Sequence, residues 1–296
     1  MKAGLTVGAV RLAVSTPHGS LEESICSGYV GYLGDILRPD CWLEISQSNS
    51  RATSGQLSVS VSPGQMRLEH PAFEAEMDGA GRATAVVSRS PGALDDLLTV
   101  LVAILAPSRQ MLLVEGAAVV SRGRGHLLLG HGDALLRHAE LEHRPIVGTK
   151  YVGIEKRGGR WTVSSTPFGS GGRASWSTLN TVWTSQKSKK TSAARGEVDP
   201  LGAGEAAAMI LRGCVVPEPT LALPNVFDLA AAIAAGVPAA HLTGSTSWER
   251  MDELAPALTI RSALSSGRPE LRTYMSDALV RSRARRRVEK EPGPQP

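Results

Sequence analysis

One stretch of the chain, residues 111–153, constrains the fold more than any other. Two apolar segments typical of buried strands are separated by a tight basic turn, residues 121–125, and the second segment leads into a glycine-rich run before a predicted helix. Strand, glycine-rich turn and helix in this order is the local structure in which phosphate-binding loops occur. We call the glycine-rich run the glycine corner; its residues are Gly130, His131, Gly132, Asp133 and Ala134.

The glycine corner lacks the residues that bind and transfer a phosphate. In the pattern G-x-x-x-x-G-K-[ST], backbone N–H groups hold the phosphates, the Lys reaches the outer phosphates and the hydroxyl binds Mg²⁺. Aligned without gaps from Gly130, the second Gly, the Lys and the hydroxyl residue become Leu135, Leu136 and Arg137. A shorter alignment, with a deletion after Ala134, supplies neither Lys nor Ser or Thr. An ordinary strand–turn–helix corner with a chance Gly-x-Gly is the alternative interpretation.

Four segments in a fixed order carry a resemblance to a known family. They are residues 113–120 (LVEGAAVV), 125–130 (GHLLLG), 145–154 (PIVGTKYVGI) and 166–171 (TPFGSG). Together they resemble the HPr kinase/phosphorylase-like family, the serine kinases related to ATP-dependent PEP carboxykinase. The resemblance implies an α/β (α+β) fold, with a small β-rich amino-terminal region followed by a P-loop core whose mixed sheet is flanked by helices.

Two further positions depart from the motifs of that family. Glu115 stands where the family has His, and Thr149 and Lys150 stand where it has the acidic pair that binds metal and takes the substrate proton. Together with the glycine corner, three catalytic elements are replaced, which removes the charge neutralisation that phosphoryl transfer requires. We therefore interpret the chain as a pseudokinase that binds an unknown partner protein or peptide. We expect no catalytic residue and no metal, and a bound ATP or Mg²⁺ remains only an alternative.

Two other functions stay open at this stage. An atypical ATP-binding serine kinase would recruit Lys150, Arg124 or Lys187 to the phosphates and Glu115 or Asp133 to the metal. A protein that binds nucleic acid or an anionic membrane surface would act through the arginine-rich tail, Arg281 to Arg287. No aromatic residue interleaves these arginines, so base stacking has no support.

A second basic segment, residues 186–195, lies between predicted strands. It is interpreted as an exposed loop, with contact to an acidic partner or an anion as the alternative. The candidate contacts are Lys187, Lys189, Lys190 and Arg195.

The pattern of the 296 residues predicts three parts. Residues 1–90 form a β-rich amino-terminal region, in which residues 5–14 alternate like one strand and residues 21–37 predict a helix. Residues 91–258 form the degenerate kinase-like core and begin with an amphipathic helix. Residues 259–296 form a helical extension and a basic tail that is too polar to build a core.

Composition bounds the class of protein. Cys26, Cys41 and Cys214 are too few and too dispersed for a disulfide framework or a zinc site, which predicts reduced thiols and a cytoplasmic protein. The longest apolar run, residues 97–106, is about half the length that crosses a membrane. The histidines near residue 130 lack the helical spacing of metal ligands. The formal net charge of +4 is too small to indicate nucleic acid by itself, and nothing fixes the oligomeric state.

Overall fold

A computed structural model describes residues 2–49, 55–130, 133–168, 174–185, 197–215, 223–243 and 247–265. These residues form a mixed α/β structure with two large sheets and six helices, which confirms the predicted fold class. Several candidates lie outside the described residues: His131, Gly132, Lys187, Lys189, Lys190, Arg195 and the tail at 281–287.

The first sheet contains eight strands in the order β3-β1-β2-β4-β8-β7-β6-β5, so β5 forms one edge. Its strands are β1 (Lys2–Val7), β2 (Val10–Ser15), β3 (Leu33–Gly34), β4 (Cys41–Ser48), β5 (Ser58–Ser62), β6 (Gln65–His70), β7 (Phe73–Asp78) and β8 (Arg82–Ser88). Buried and exposed residues alternate along these strands, as a sheet with one covered face requires.

Two local predictions in this region were wrong. Residues 5–14 form two antiparallel strands rather than one, because the chain turns at Gly8, whose φ is +58°. The helix predicted over residues 21–37 is shorter. It is α1 (Gly19–Gly28), followed by a single 3₁₀ turn at Val30–Tyr32. Glycine is a poor helix former, and α1 ends at Gly28.

Helix α2 (Ala93–Leu105) connects the two sheets and covers the first. Leu97, Leu98, Leu101 and Val102 on its inner face are fully buried. The same core cluster extends to Met111 at the start of the second sheet, so the two sheets share apolar contacts. The first sheet ends at residue 88, but the predicted division into domains remains a prediction.

The second sheet also contains eight strands, and its long strands pair with different neighbours along different parts of their length. The strands are β9 (Met111–Ser121), β10 (Arg124–Gly130), β11 (Ile146–Gly148), β12 (Tyr151–Arg157), β13 (Arg160–Ser165), β14 (Trp176–Ser185), β15 (Glu197–Pro200) and β16 (Ala239–Thr243). Strand β9 pairs with β12 through its first half and with β10 through its second half. Strand β14 lies parallel to both β10 and β16.

Helices cover both faces of the second sheet. They are α3 (Asp133–Leu141), α4 (Ala203–Gly213), α5 (Leu223–Gly236) and α6 (Trp248–Ser265). Helices α4 and α5 pack on one face, whereas α3 and α6 pack on the other around Ala139 and Trp248. No helix in the described part of the chain is both long and apolar enough to cross a lipid bilayer.

Candidate functional site

Gly130, the first residue of the glycine corner, lies at the edge of the second sheet where parallel strands end. Gly130, the last residue of β10, is in register with Ser185, the last residue of β14, and Ser185 is in register with Leu242 near the end of β16. Ligand sites of open α/β sheets form in the crevice outside the carboxyl ends of such strands. Gly130 has φ of +79°, a conformation that side chains disfavour, so a glycine is needed where β10 turns towards α3.

Strand register brings the substituted positions close to this edge. Leu129 of β10 lies opposite Gly116 of β9. Glu115, the residue before Gly116 in β9, lies opposite Tyr151 of β12. The N–H of Gly116 donates to the carbonyl of Lys150 at 3.0 Å. Glu115 and Lys150 are both exposed, so the structure gathers two opposite charges beside the strand that enters the glycine corner.

An aromatic ring lies beside one of these charges. The ammonium nitrogen of Lys150 is 5.0 Å from the ring centroid of Tyr151, within the range of a cation–π contact. Thr149 lies in the bend that precedes β12 and is half-buried. This part of the edge is therefore amphipathic rather than strongly basic.

The first turn of α3 carries packing residues where a phosphate loop carries its Lys. Leu135 and Leu136 pack against the core between α3, α6 and the sheet. The indole N–H of Trp248 donates to the carbonyl of Leu135 at 3.1 Å. Helix α3 begins at Asp133.

A buried polar cluster lies at the other end of β10, and no sequence pattern predicted it. The hydroxyl of Ser121 donates to Oδ2 of Asp252 at 2.5 Å, and Arg144 donates to the same hydroxyl. The indole N–H of Trp183 donates to Nδ1 of His126 at 3.0 Å. Nδ1 therefore accepts, and the proton of the neutral imidazole is on Nε2, which lies 3.4 Å from Oδ1 of Asp252.

This cluster has a structural role. Neither imidazole nitrogen of His126 contacts the Ser121 hydroxyl, so the three side chains do not form a nucleophilic triad. Burial lowers the pKa of His126, and the nearby charge of Asp252 opposes that shift. Asp252 belongs to α6, and its contacts therefore attach this helix to the β9–β10 turn. The sequence feature that could have indicated this cluster is Asp252, an acidic residue on the buried face of α6.

The other histidines have separate partners. His138 Nε2 lies 3.2 Å from a carboxylate oxygen of Glu142, one turn further along the chain. His143 follows α3 with φ of +52°, as a residue that ends a helix in the left-handed region. Within the described residues, no group of three or more potential ligands is arranged to hold a metal ion.

Comparisons with known proteins give little further information. No family model matches the chain, and no curated protein matches it. Among solved structures, the Hpr(Ser) kinase/phosphatase from Coxiella burnetii is similar, with a TM-score of 0.28 and 10% sequence identity. The match covers 57% of this chain and 97% of that chain. A likeness of this size supports no argument about the chemistry of the present protein.

Proposed function

We propose that this protein is a non-catalytic, HPr-kinase-like pseudokinase that binds a partner protein or peptide at the edge formed by Glu115, Gly130 and Lys150. One observation carries the proposal. At the two positions where a phosphate loop needs its second Gly and its Lys, Leu135 and Leu136 are partly buried and pack against the core cluster around Trp248 instead. This packing favours a structural role for the two side chains over contact with a phosphate.

Electrostatics supports the same interpretation. Phosphoryl transfer requires cations that neutralise the charge developing on the phosphate oxygens. Glu115, whose side chain is exposed, instead adds a negative charge on β9, the strand that pairs with β10. Lys150 faces the ring of Tyr151, which competes with a phosphate for its ammonium group.

The exposed groups suit a polypeptide ligand. Glu115 and Lys150 present opposite charges, and the ring of Tyr151 lies beside the Lys150 ammonium group. Tyrosine is enriched at protein interfaces because it has a large apolar ring and a polar tip. A partner that matches this edge would carry a basic and an acidic side chain that pair with these charges, and an apolar residue that contacts the ring.

A charge exchange tests the proposal without altering net charge. The variant Glu115→Lys, Lys150→Glu is used with the wild type as bait in quantitative affinity capture from cells. The matched control, Arg250→Glu with Glu253→Arg, exchanges an exposed ion pair on α6 whose side chains are 59% and 62% exposed. We expect a specific partner retained by wild type and control and lost by the first variant. A partner retained equally by all three proteins would contradict binding at this edge.

A further inference from the structure

Strand β5 (Ser58–Ser62) forms one edge of the first sheet, and the strand itself lacks the residues that usually protect such an edge. In the part of the chain that the structure describes, it pairs only with β6. Its sequence, Ser-Val-Ser-Val-Ser, contains no charge and no proline. Edge strands expose unpaired N–H and C=O groups, and monomeric proteins usually blunt them with lysine, proline or a bulge. An unprotected edge is therefore able to accept another strand.

The β5–β6 turn fixes which backbone groups of β5 are unpaired. Ser62 and Gln65 are paired across the two-residue turn Pro63–Gly64, and Gly64 has φ of +78°. In a type II turn the second central residue, here Gly64, requires positive φ. In such a turn the N–H of Gln65 donates a hydrogen bond to the carbonyl of Ser62. The backbone groups of Ser62 therefore point towards β6.

Alternation then determines the direction of the other groups. In antiparallel pairs, residues alternate between those bonded to the neighbouring strand and those directed away from it. Ser60 and Ser58 therefore bond to β6, as Ser62 does. The N–H and C=O groups of Val59 and Val61 are directed towards the open edge.

The pattern of open groups is self-complementary, and we propose that β5 pairs antiparallel with β5 of a second copy of this chain. With a two-fold axis between the two Ser60 residues, Val59 of one copy lies opposite Val61 of the other. Both valines have outward-directed groups, so each such pair exchanges two hydrogen bonds, and the two pairs together form four. Because the five-residue sequence reads the same in both directions, every side chain meets a like neighbour.

An apolar groove beside the edge adds contact to the backbone pairing. Val61 is 38% exposed although it is on the covered face of the sheet. It lines a groove of about 380 Å³ together with Met66, Met77 and Leu105. In the antiparallel arrangement, Leu57 of the second copy extends past Ser62 on this same face. The second copy would thereby cover a part of the groove that α2 leaves open.

The expected dimer is weak. Five paired residues in each strand and one shallow groove in each copy bury less surface than the roughly 1,200 Å² of a stable interface. We therefore expect association only at micromolar concentrations or above. The inference is independent of the proposed function, because β5 belongs to the first sheet and the glycine corner to the second.

Disulfide trapping tests both the edge and the register. Residues of a non-hydrogen-bonded pair have Cα atoms about 4.5 Å apart, within the range that a disulfide spans. Ser60→Cys places two thiols at this distance across the axis. In Ser62→Cys the two thiols are offset by four residues, about 13 Å along the strands, which a disulfide cannot span. Both variants are made with Cys26→Ser, because Cys26 is exposed.

The oxidation is carried out at a protein concentration of about 100 μM, because an interface of this size is weak. Ser60→Cys should form a covalent dimer of twice the 31.2 kDa chain mass, whereas Ser62→Cys should remain monomeric. Equal trapping of both variants, or of neither, would overturn the proposal. A covalent dimer formed by the Cys26→Ser protein, which carries no introduced cysteine, would also overturn it.

A second substitution separates backbone pairing from accidental collision. Val61→Pro removes an outward N–H without removing a bond to β6, and proline is tolerated on edge strands in this orientation. Combined with Ser60→Cys, it should reduce the initial trapping rate at least tenfold. Val61→Thr keeps the N–H and the branched side chain and should preserve trapping. Equal rates for the two variants would contradict the proposed strand pairing.

Discussion

The indole N–H of Trp248 on α6 donates to the carbonyl of Leu135 in the first turn of α3, at a distance of 3.1 Å. The helix that would present a nucleotide's phosphates to catalytic groups is thus attached to a carboxyl-terminal helix through its own backbone. Leu135 and its neighbour Leu136 pack in the same core cluster. These contacts give Leu135 and Leu136 a role in packing α3 against α6.

Restoring the missing lysine should destabilise the protein rather than create a nucleotide site. Leu136→Lys introduces a charge into a partly buried apolar contact, so we expect a loss of about 1–3 kcal/mol in the free energy of unfolding. Arg137→Lys, at the neighbouring exposed position, should change it by less than about 0.5 kcal/mol. Urea unfolding followed by tryptophan fluorescence measures both. An unchanged midpoint for Leu136→Lys would show that this helix face is not packed as described.

Gly116→Ala should be among the most damaging single-methyl changes in the second sheet. A Cβ at this position would lie 2.5 Å from the carbonyl oxygen of Leu128, so β9 and β10 would have to separate. Overpacking of this kind costs about 1–3 kcal/mol. Gly204→Ala is the control, because nothing lies within 4 Å of its added Cβ in helix α4. That variant should gain up to about 1 kcal/mol, and thermal melts of the two variants should shift in opposite directions.

Acid should weaken the fold through His126. Above about pH 6.5, the ordinary pKa of histidine, its imidazole is neutral in both the folded and the unfolded chain and contributes no pH dependence. Because burial lowers the pKa in the folded protein, only the unfolded chain binds the proton just below that pH. Stability should then fall by up to about 1.4 kcal/mol per pH unit. The charged groups facing His126 are Asp252, which opposes the shift, and Arg124 and Arg144, which support it.

The glutamine variant isolates this contribution. In His126→Gln, the amide can still accept from Trp183 and donate towards Asp252, but it cannot titrate. Urea unfolding at pH 7.5 and pH 5.5 should show a larger loss of stability in the wild type than in the variant. Equal losses in the two proteins would mean that other groups cause the acid sensitivity.

The three thiols should react at very different rates. Burial raises the pKa of Cys41 to about 12, with further contributions from Asp78 and Asp40, and burial alone raises that of Cys214 to about 12. The thiolate is the reactive form, so both should be slow, whereas Cys26 is exposed. A chromogenic disulfide reagent at pH 8 should label one thiol per chain rapidly and the other two only after unfolding. Two fast thiols would contradict this assignment.

The periodic elements could be predicted because their burial pattern is local. The amphipathic helix predicted at the start of the core is α2, and its apolar face is buried as expected. The turn at Gly8 could not be recognised, because residues 5–14 continue to alternate on both sides of it. The range predicted for helix α1 was too long, because the apolar pattern continues past Gly28, at which the helix ends. These errors concern where the chain reverses direction, which depends on contacts that are distant in sequence.

The candidate site divides in the same way. Glu115, Lys150 and the glycine corner were selected from motif order, and strand register brings them to one edge. The attachment of α3 by Trp248 joins residues more than one hundred positions apart, and no local pattern indicates it. The buried cluster around Asp252 was missed for the same reason, since its five members come from five separate elements or turns.

The measurement that tests the central claim most directly is a thermal-shift and calorimetric titration of the purified protein with Mg·ATP. A site occupied at one hundred times its dissociation constant would stabilise the fold by about 2.7 kcal/mol, a readily detected shift. We predict no shift at millimolar Mg·ATP for the wild type or for Leu136→Lys, and no transfer of labelled γ-phosphate to the protein. A saturable, Mg²⁺-dependent shift accompanied by phosphoryl transfer would contradict the pseudokinase proposal.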